Sequence, residues 1–257
     1  RGRAEFDRAS GLVSLTSDHF ALGATQLAVD LRAGPNGGYR LDLRGPSLDL
    51  RYFVPRWLEA GDQGDEPALD LKLQIERVHL TDKVTLSRLV GAGRRRGGEW
   101  LSADLRGAMP GGQSIGITVR AEDKGRRFII VGGDAGGMAQ ALGLYPDARG
   151  GTMYLNFLVP AADDPDGVIS GYLRADNFRV VKAQVLTRLL TLGSLTGLSD
   201  VLNDKGITFT RLNAPFTMRD GRLHIERARA VGPAMAVIAT GDYTRDTKAL
   251  RFHGTIV

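Results

Sequence analysis

The sequence predicts a mainly β protein, an antiparallel meander sheet with one Leu-rich helical segment and one or two short helices. Three observations predict it. Apolar residues recur at every second position, most regularly in Leu69-Leu71-Leu73-Ile75, with Asp70, Lys72, Gln74 and Glu76 between them. That alternation describes a sheet dry on one face and wet on the other. A strand-turn-strand unit recurs every 8–14 residues, and the 34 glycines suit many turns. From Val181 to Asp204 the period changes, and Val185, Leu186, Leu189, Leu190, Leu192, Leu195, Leu198 and Leu202 form a broad apolar helical surface.

In chain order, residues 3–60 read as a meander. Phe6, Leu12–Leu15, Phe20–Leu22, Leu27-Val29-Leu31, Tyr39-Leu41-Leu43 and Leu48-Leu50-Tyr52 are its strands, with turns at Gly34–Gly38 and Gly45-Pro46. Phe53–Ala60 predicts a short helix opened by Pro55, and Gly61–Pro67 a surface loop. A second meander runs from Ala68 to Val131 through Leu69–Ile75, Val84–Leu89, Trp100–Leu105, Ile115-Ile117-Val119 and Phe128–Val131. Its turns fall at Gly91–Gly98, Pro110–Gly112 and Glu122–Gly125, and the phase change from Arg77 to Val78 predicts a bulge or bend. Asp134 is placed to cap a short helix presenting Met138, Leu142 and Leu144.

Strands Met153–Val159 and Val168–Ala175 precede the Leu-rich segment, which Gly193-Ser194 and Gly197 bend or split. Ile207–Leu212, Phe216–Met218, Leu223–Ala230, Met235–Tyr243 and Leu250–Ile256 follow, punctuated by Arg219–Arg222 and Thr244–Thr247. The organisation expected is a β-meander segment over 1–130 and a second region over 131–257 whose helical segment spans about 180–204. Both ends read as cuts, so a fragment of a longer protein is expected.

Composition limits the function classes. With 257 residues, 42% hydrophobic and 25% charged, the chain is globular. It has no cysteine, so burial rather than disulfides must hold it together. No run of about 18 apolar residues exists to span a bilayer as a helix. The net charge of +5 is spread over the chain, and aromatics do not interleave with the basic residues as nucleic-acid stacking requires.

Motifs for chemistry are absent. His19, His79, His224 and His253 lack metal-ligand spacing, and no serine-hydrolase elbow occurs. Asp163–Gly167 lacks the spacing of a calcium loop and reads as a tight turn. Gly132–Gly137 precedes a helix, so its amides could hold an anion, but no P-loop Lys follows. Arg94-Arg95-Arg96 reads as a charged hairpin tip, solvated or touching anionic headgroups. The expectation is a non-enzyme without cofactor or metal.

What remains is the dry face, which periodicity leaves open. Two sheets closing on each other would make an ordinary core. One sheet curling without closing would line a groove, in which a bound tail gains about 0.8 kcal/mol per buried CH₂.

Several segments carry a resemblance. They are Gly133–Tyr145, with its Asp-Ala-Gly and Leu-Gly-Leu-Tyr, then Arg149-Gly150-Gly151, then Asn177–Leu186, where Gln184 stands in place of the usual proline. Leu195–Leu198, Gly206–Phe209, Ala214–Phe216, Asp220-Gly221, Gly232–Met235, Gly241–Tyr243 and Leu250–Val257 follow in order. Over roughly 130–257 the chain resembles the C-terminal region of the AsmA-like, YhdP-type envelope proteins, kin of the bridge-like lipid-transfer proteins. The resemblance implies a curled sheet, an open half-barrel or taco-like groove. It implies a periplasmic protein held in the inner membrane by a segment outside this chain, carrying phospholipid towards the outer membrane.

Its partners would be phospholipid acyl chains and the two membranes or their proteins, with no nucleic acid. No catalytic residue comes with the resemblance. The groove lining expected is Leu69, Leu71, Leu73, Ile75, Ile115, Ile117, Val119, Met153, Leu155 and Phe157. Leu186, Leu189, Leu190, Leu195 and Leu198 of the helix would plug or gate its end. The rival expectations are an envelope-assembly scaffold with a closed core and an enzyme acting on envelope glycan or lipid.

Overall fold

The structure, a computed structural model, describes residues 2–7, 11–34, 37–51, 67–82, 84–141, 147–161, 164, 167–181, 206–244 and 249–257. Among the described residues sixteen strands, mostly antiparallel, form one long sheet that does not close into a barrel. One described helix, α1 (Ala135–Ala141), accompanies them. The chain divides into two compact units, residues 1–129 and 130–257, each taken by itself below. The helix expected over Phe53–Ala60, most of the loop after it and the Leu-rich segment with Leu186, Leu189, Leu190, Leu195 and Leu198 lie outside the described residues.

The first unit begins with β1 (Gly2–Asp7), β2 (Gly11–Leu22), β3 (Thr25–Ala33) and β4 (Tyr39–Asp49), paired antiparallel in sequence order. Gly45-Pro46 is not a turn, because β4 runs straight through it. Gln26 pairs with Ser47 and Ala28 with Arg44, so Gly45 and Pro46 together oppose Leu27 in a β-bulge. A Cβ on Gly45 would lie 2.5 Å from the Leu27 Cα, which explains the glycine.

The next junction departs from a meander. β5 (Leu69–His79) pairs parallel with β4, Leu41 opposite Leu71 and Leu43 opposite Leu73. A parallel pair needs a connection of a dozen residues or more, and residues 50–68 supply it. β6 (Thr85–Arg96), β7 (Glu99–Ala108), β8 (Ser114–Glu122) and β9 (Gly125–Gly132) then return to hairpin succession.

The turn expected over Gly91–Gly98 is confined to Gly97-Gly98, at φ 53° and 76°, where both residues need the left-handed region. Arg94, Arg95 and Arg96 are therefore the end of β6 and not a hairpin tip. The phase change after Arg77 is real, but it involves no slip against β4 or β6. Buried positions step from Ile75 to Val78 on β5 and from Leu89 to Leu86 on β6, beside Arg88 at φ 51°. A left-handed residue inside a strand breaks the two-residue alternation. The bulge lies on the other side of β6, where its register with β7 shifts between Ser87 and Val90.

In the second unit, Asp134 caps α1 as expected. Its carboxylate accepts from the Gly137 N–H at 2.9 Å and its carbonyl from the Met138 N–H at 3.0 Å. The Ala135 and Gly136 amides donate to the Gly151 and Gly150 carbonyls, each at 2.9 Å. These amides of the glycine-rich turn are thus engaged within the protein and do not face an anion site. A Cβ on Gly136 would lie 2.5 Å from the Arg149 Cα, so glycine lets the helix sit against β10 (Ala148–Arg149).

β11 (Thr152–Pro160), β12 (Ile169–Val180), β13 (Ile207–Arg219), β14 (Arg222–Val231), β15 (Ala236–Thr244) and β16 (Ala249–Ile256) pair antiparallel in that order. Val180, expected near the helix start, is the last residue of β12. Ile207–Leu212 and Phe216–Met218, expected as separate runs, are one strand through Ala214-Pro215. The core of this unit gathers Ile207, Phe209 and Met235, with Phe178, Val180, Ala230, Val237 and Ile256 against them. Asn177 at φ 54° shifts the inward phase from Ala175 to Phe178, whose ring stacks on Phe209 at 5.4 Å.

Candidate functional site

Register decides which apolar residues share a face, because directly paired residues point to the same side. In the first unit one row runs Leu15, Leu31, Leu41, Leu71, Gly93, Ala103 and Val119 across β2 to β8. A second runs Val29, Leu43, Leu73, Gly91, Leu105 and Ile117. Ile75 pairs with Leu89, and Ile115 with Gly107, at the next level. Leu69, Leu71, Leu73 and Ile75 are therefore brought onto one face with Ile115, Ile117 and Val119, although about forty residues separate the two sets in sequence. Between them Gly91, Gly93 and Ala103 present almost no side chain.

Burial along this face is graded. At one end Ile75 is 1% exposed, Val78 0%, Leu86 2% and Met109 1%, and Ile115 is also buried; on β8 alone burial reaches further, since Val119 in the Leu71 row is buried too. In mid-strand Leu71, Leu73, Leu41, Leu43, Leu105 and Ile117, and Leu69 at the start of β5, are only half-buried. A leucine in the packed layer between two sheets loses nearly all its exposure. These keep an appreciable part of theirs.

Met153, Leu155 and Phe157 lie on a face of the second unit. One row there is Met153, Ala175, Leu212, Ala230, Val237 and Ile256; another is Phe157, Gly171, Phe216, Ile225, Gly241 and Phe252. The same gradient recurs. Met153 and the Ile207–Phe209–Met235 cluster are buried, Leu155 and Phe157 are half-buried, and Phe252 is 44% exposed. Cβ atoms on Gly171 and Gly241 would fall 2.6 Å from the Phe157 Cβ and 2.5 Å from the Phe252 ring, so large residues cover glycines on this face.

The opposite face of the first unit is held by aspartate–arginine pairs two residues apart on one strand. Asp30–Arg32 closes at 2.8 Å, Asp42–Arg44 at 2.7 Å and Asp104–Arg106 at 3.1 Å. The arginine guanidinium holds the carboxyl of Asp30 below the usual carboxylate range. In the second unit Asp176 is held low in the same way by Arg174 and Arg211. The signal was legible as a recurring Asp-Leu-Arg at 30–32, 42–44, 49–51 and 104–106, which apolar alternation alone does not single out.

Two histidine contacts join strands. His224 Nδ1 lies 2.9 Å from Asp242, its register partner on the neighbouring strand. His79 joins Ser47 Oγ at 3.2 Å to Thr85 Oγ1 at 3.0 Å, so a hydroxyl–imidazole–hydroxyl chain ties β4, β5 and β6. A general base would need a carboxylate where Thr85 stands to orient it strongly. The chain therefore satisfies the buried Ser47 hydroxyl and clamps three strands. Among the described residues no group of three or more His, Asp or Glu is placed to hold a metal ion. No described helix is long and apolar enough to cross a membrane. No protein-family model, curated protein or solved structure matches the chain.

Proposed function

We propose that this chain is a periplasmic segment of a larger envelope protein that binds phospholipid by its acyl chains along the apolar sheet face and conducts it between inner and outer membranes, in support of outer-membrane integrity. The protein would be anchored to the inner membrane by a segment outside this chain and would perform no catalysis. One observation carries the reading. Leucines on five of the seven strands that the register rows cross (β2, β3, β4, β5 and β7) remain only half-buried in a sheet that does not close. Exposed apolar rows of this extent are costly in water unless something apolar covers them. An acyl chain fits: six residues of strand span about 20 Å, close to the length of a lipid tail.

The resemblance to AsmA-like proteins supports the cellular setting, and the graded burial supports a cavity closed at one end. That same sealed end, Ile75, Val78, Leu86 and Met109, favours a second reading, an envelope-assembly scaffold with a closed core.

Mass spectrometry of an organic extract of the purified protein separates the two. Stoichiometric phospholipid in the wild type, lost in folded Leu71→Asp and Ile117→Asp variants, is the expected result. A well-folded protein free of lipid would leave the scaffold.

A further inference from the structure

The half-exposed face ends in charge and aromatic rings at the side opposite its sealed end. One register row holds Tyr39, Leu69, Arg95 and Trp100. Arg94 and Arg96 point to the other face, where both reach Asp70, at 3.6 and 2.7 Å. Alternation therefore places Arg95 on the apolar side, with its Nε shielded from solvent. The indole of Trp100 lies on the same side, since a Cβ on Gly93 would fall 2.7 Å from its ring. Tyr39 and Trp100 combine an apolar body with a polar tip, the character suited to a boundary between oil and water. From this row to Ile75 the face runs six residues, roughly 20 Å, through Leu71 and Leu73.

We propose that Arg95, flanked by Trp100 and Tyr39, binds the phosphate of an anionic phospholipid whose chains run past Leu71 and Leu73 towards Ile75. The inference rests on the lipid-binding reading above and adds an orientation and a headgroup contact to it. A planar guanidinium suits phosphate because it can donate two parallel hydrogen bonds. Partial removal of solvent strengthens the attraction. The polarity follows from the gradient: the charged row can meet a headgroup, and the sealed apolar end can meet only the tail.

The test loads the protein from phosphatidylcholine vesicles carrying a minor fraction of either phosphatidylglycerol or the diacylglycerol with the same labelled chains. Repurified protein is then assayed for retained label. Wild type should favour phosphatidylglycerol. Arg95→Gln should lower its retention about tenfold, the scale of one charge-assisted hydrogen bond, and leave diacylglycerol unchanged. Arg95→Lys should restore part of the loss, and Arg94→Gln, which removes the same charge from the other face, should behave as wild type. Unchanged phosphatidylglycerol retention in Arg95→Gln would overturn the headgroup site while loaded diacylglycerol kept the groove. Equal loss of both lipids would overturn it too, by showing that Arg95 maintains the face. If no variant, nor the wild type, loads either lipid, the lipid-binding reading itself falls.

Discussion

Replacing Leu73 and Ile75 singly by alanine measures how open the apolar face is, without any lipid. Each change removes three carbons from neighbouring positions on the same side of β5. Ile75 is 1% exposed, so truncation forfeits the full transfer energy of about 2.4 kcal/mol, and an enclosed cavity raises the cost to about 3–4 kcal/mol. Leu73 keeps no more than about a third of its exposure, so about two-thirds or more of that transfer energy is lost, and solvent reaches the gap. Its cost should be about 2 kcal/mol. Urea denaturation of delipidated protein, followed by Trp100 fluorescence in a Trp57→Phe background, reads both. With an m-value of about 2 kcal/mol/M, the midpoint should fall about 1.5–2 M for Ile75→Ala and about 1 M for Leu73→Ala. Equal losses of about 3 kcal/mol would mean that Leu73 is covered by protein, and the open-face argument would be refuted.

Phe209→Ala should destabilise the second unit by about 3–5 kcal/mol, measured by chemical denaturation, because the ring is 3% exposed and stacks on Phe178. Asp134→Ala should cost about 0.5–2 kcal/mol and raise amide exchange at Gly137, whereas Asp134→Asn should recover most of it. The Arg51 guanidinium holds the Asp49 carboxyl down to about 2, from an ordinary 3.8, so the folded state keeps a charge there that the unfolded chain gives up first. The stability it contributes is complete above about pH 4 and vanishes as the pH falls through about 2. The difference in urea midpoint between wild type and Asp49→Asn should therefore be present at pH 5 and shrink towards zero near pH 2; a constant difference would count against the ion pair.

Several elements were legible in the sequence because their signals are local. Alternation in Leu69–Ile75 and Ile115–Val119 located β5 and β8, and Asp220-Gly221, at φ 49° and 71°, marked a turn by residue types that accept positive φ. Asp134 announced the start of α1 by its side chain alone. Gly45-Pro46 and Gly91–Arg96 misled, since glycine and proline serve close strand approach and bulges as well as turns. Only the opposing strand distinguishes the uses, as Leu27 does for Gly45 and Leu105 for Gly91, whose added Cβ atoms would lie 2.5 and 2.8 Å from their respective Cα atoms.

By itself, then, the sequence determined a β protein, the two sides of each strand and most strand positions, because side-chain direction in a strand depends on spacing of two. Tertiary structure decided what spacing cannot encode. The parallel partnership of β4 and β5 follows from a crossover over residues 50–68, and that pairing places Leu41 beside Leu71. Long-range register brings Leu71 into one row with Val119, and puts Arg95 at the end of their face while Arg94 and Arg96 turn to Asp70. Burial was decided last and least locally. Leu73 and Ile75 read identically in sequence, yet one stays partly exposed and the other is sealed, because exposure depends on atoms contributed by distant parts of the chain.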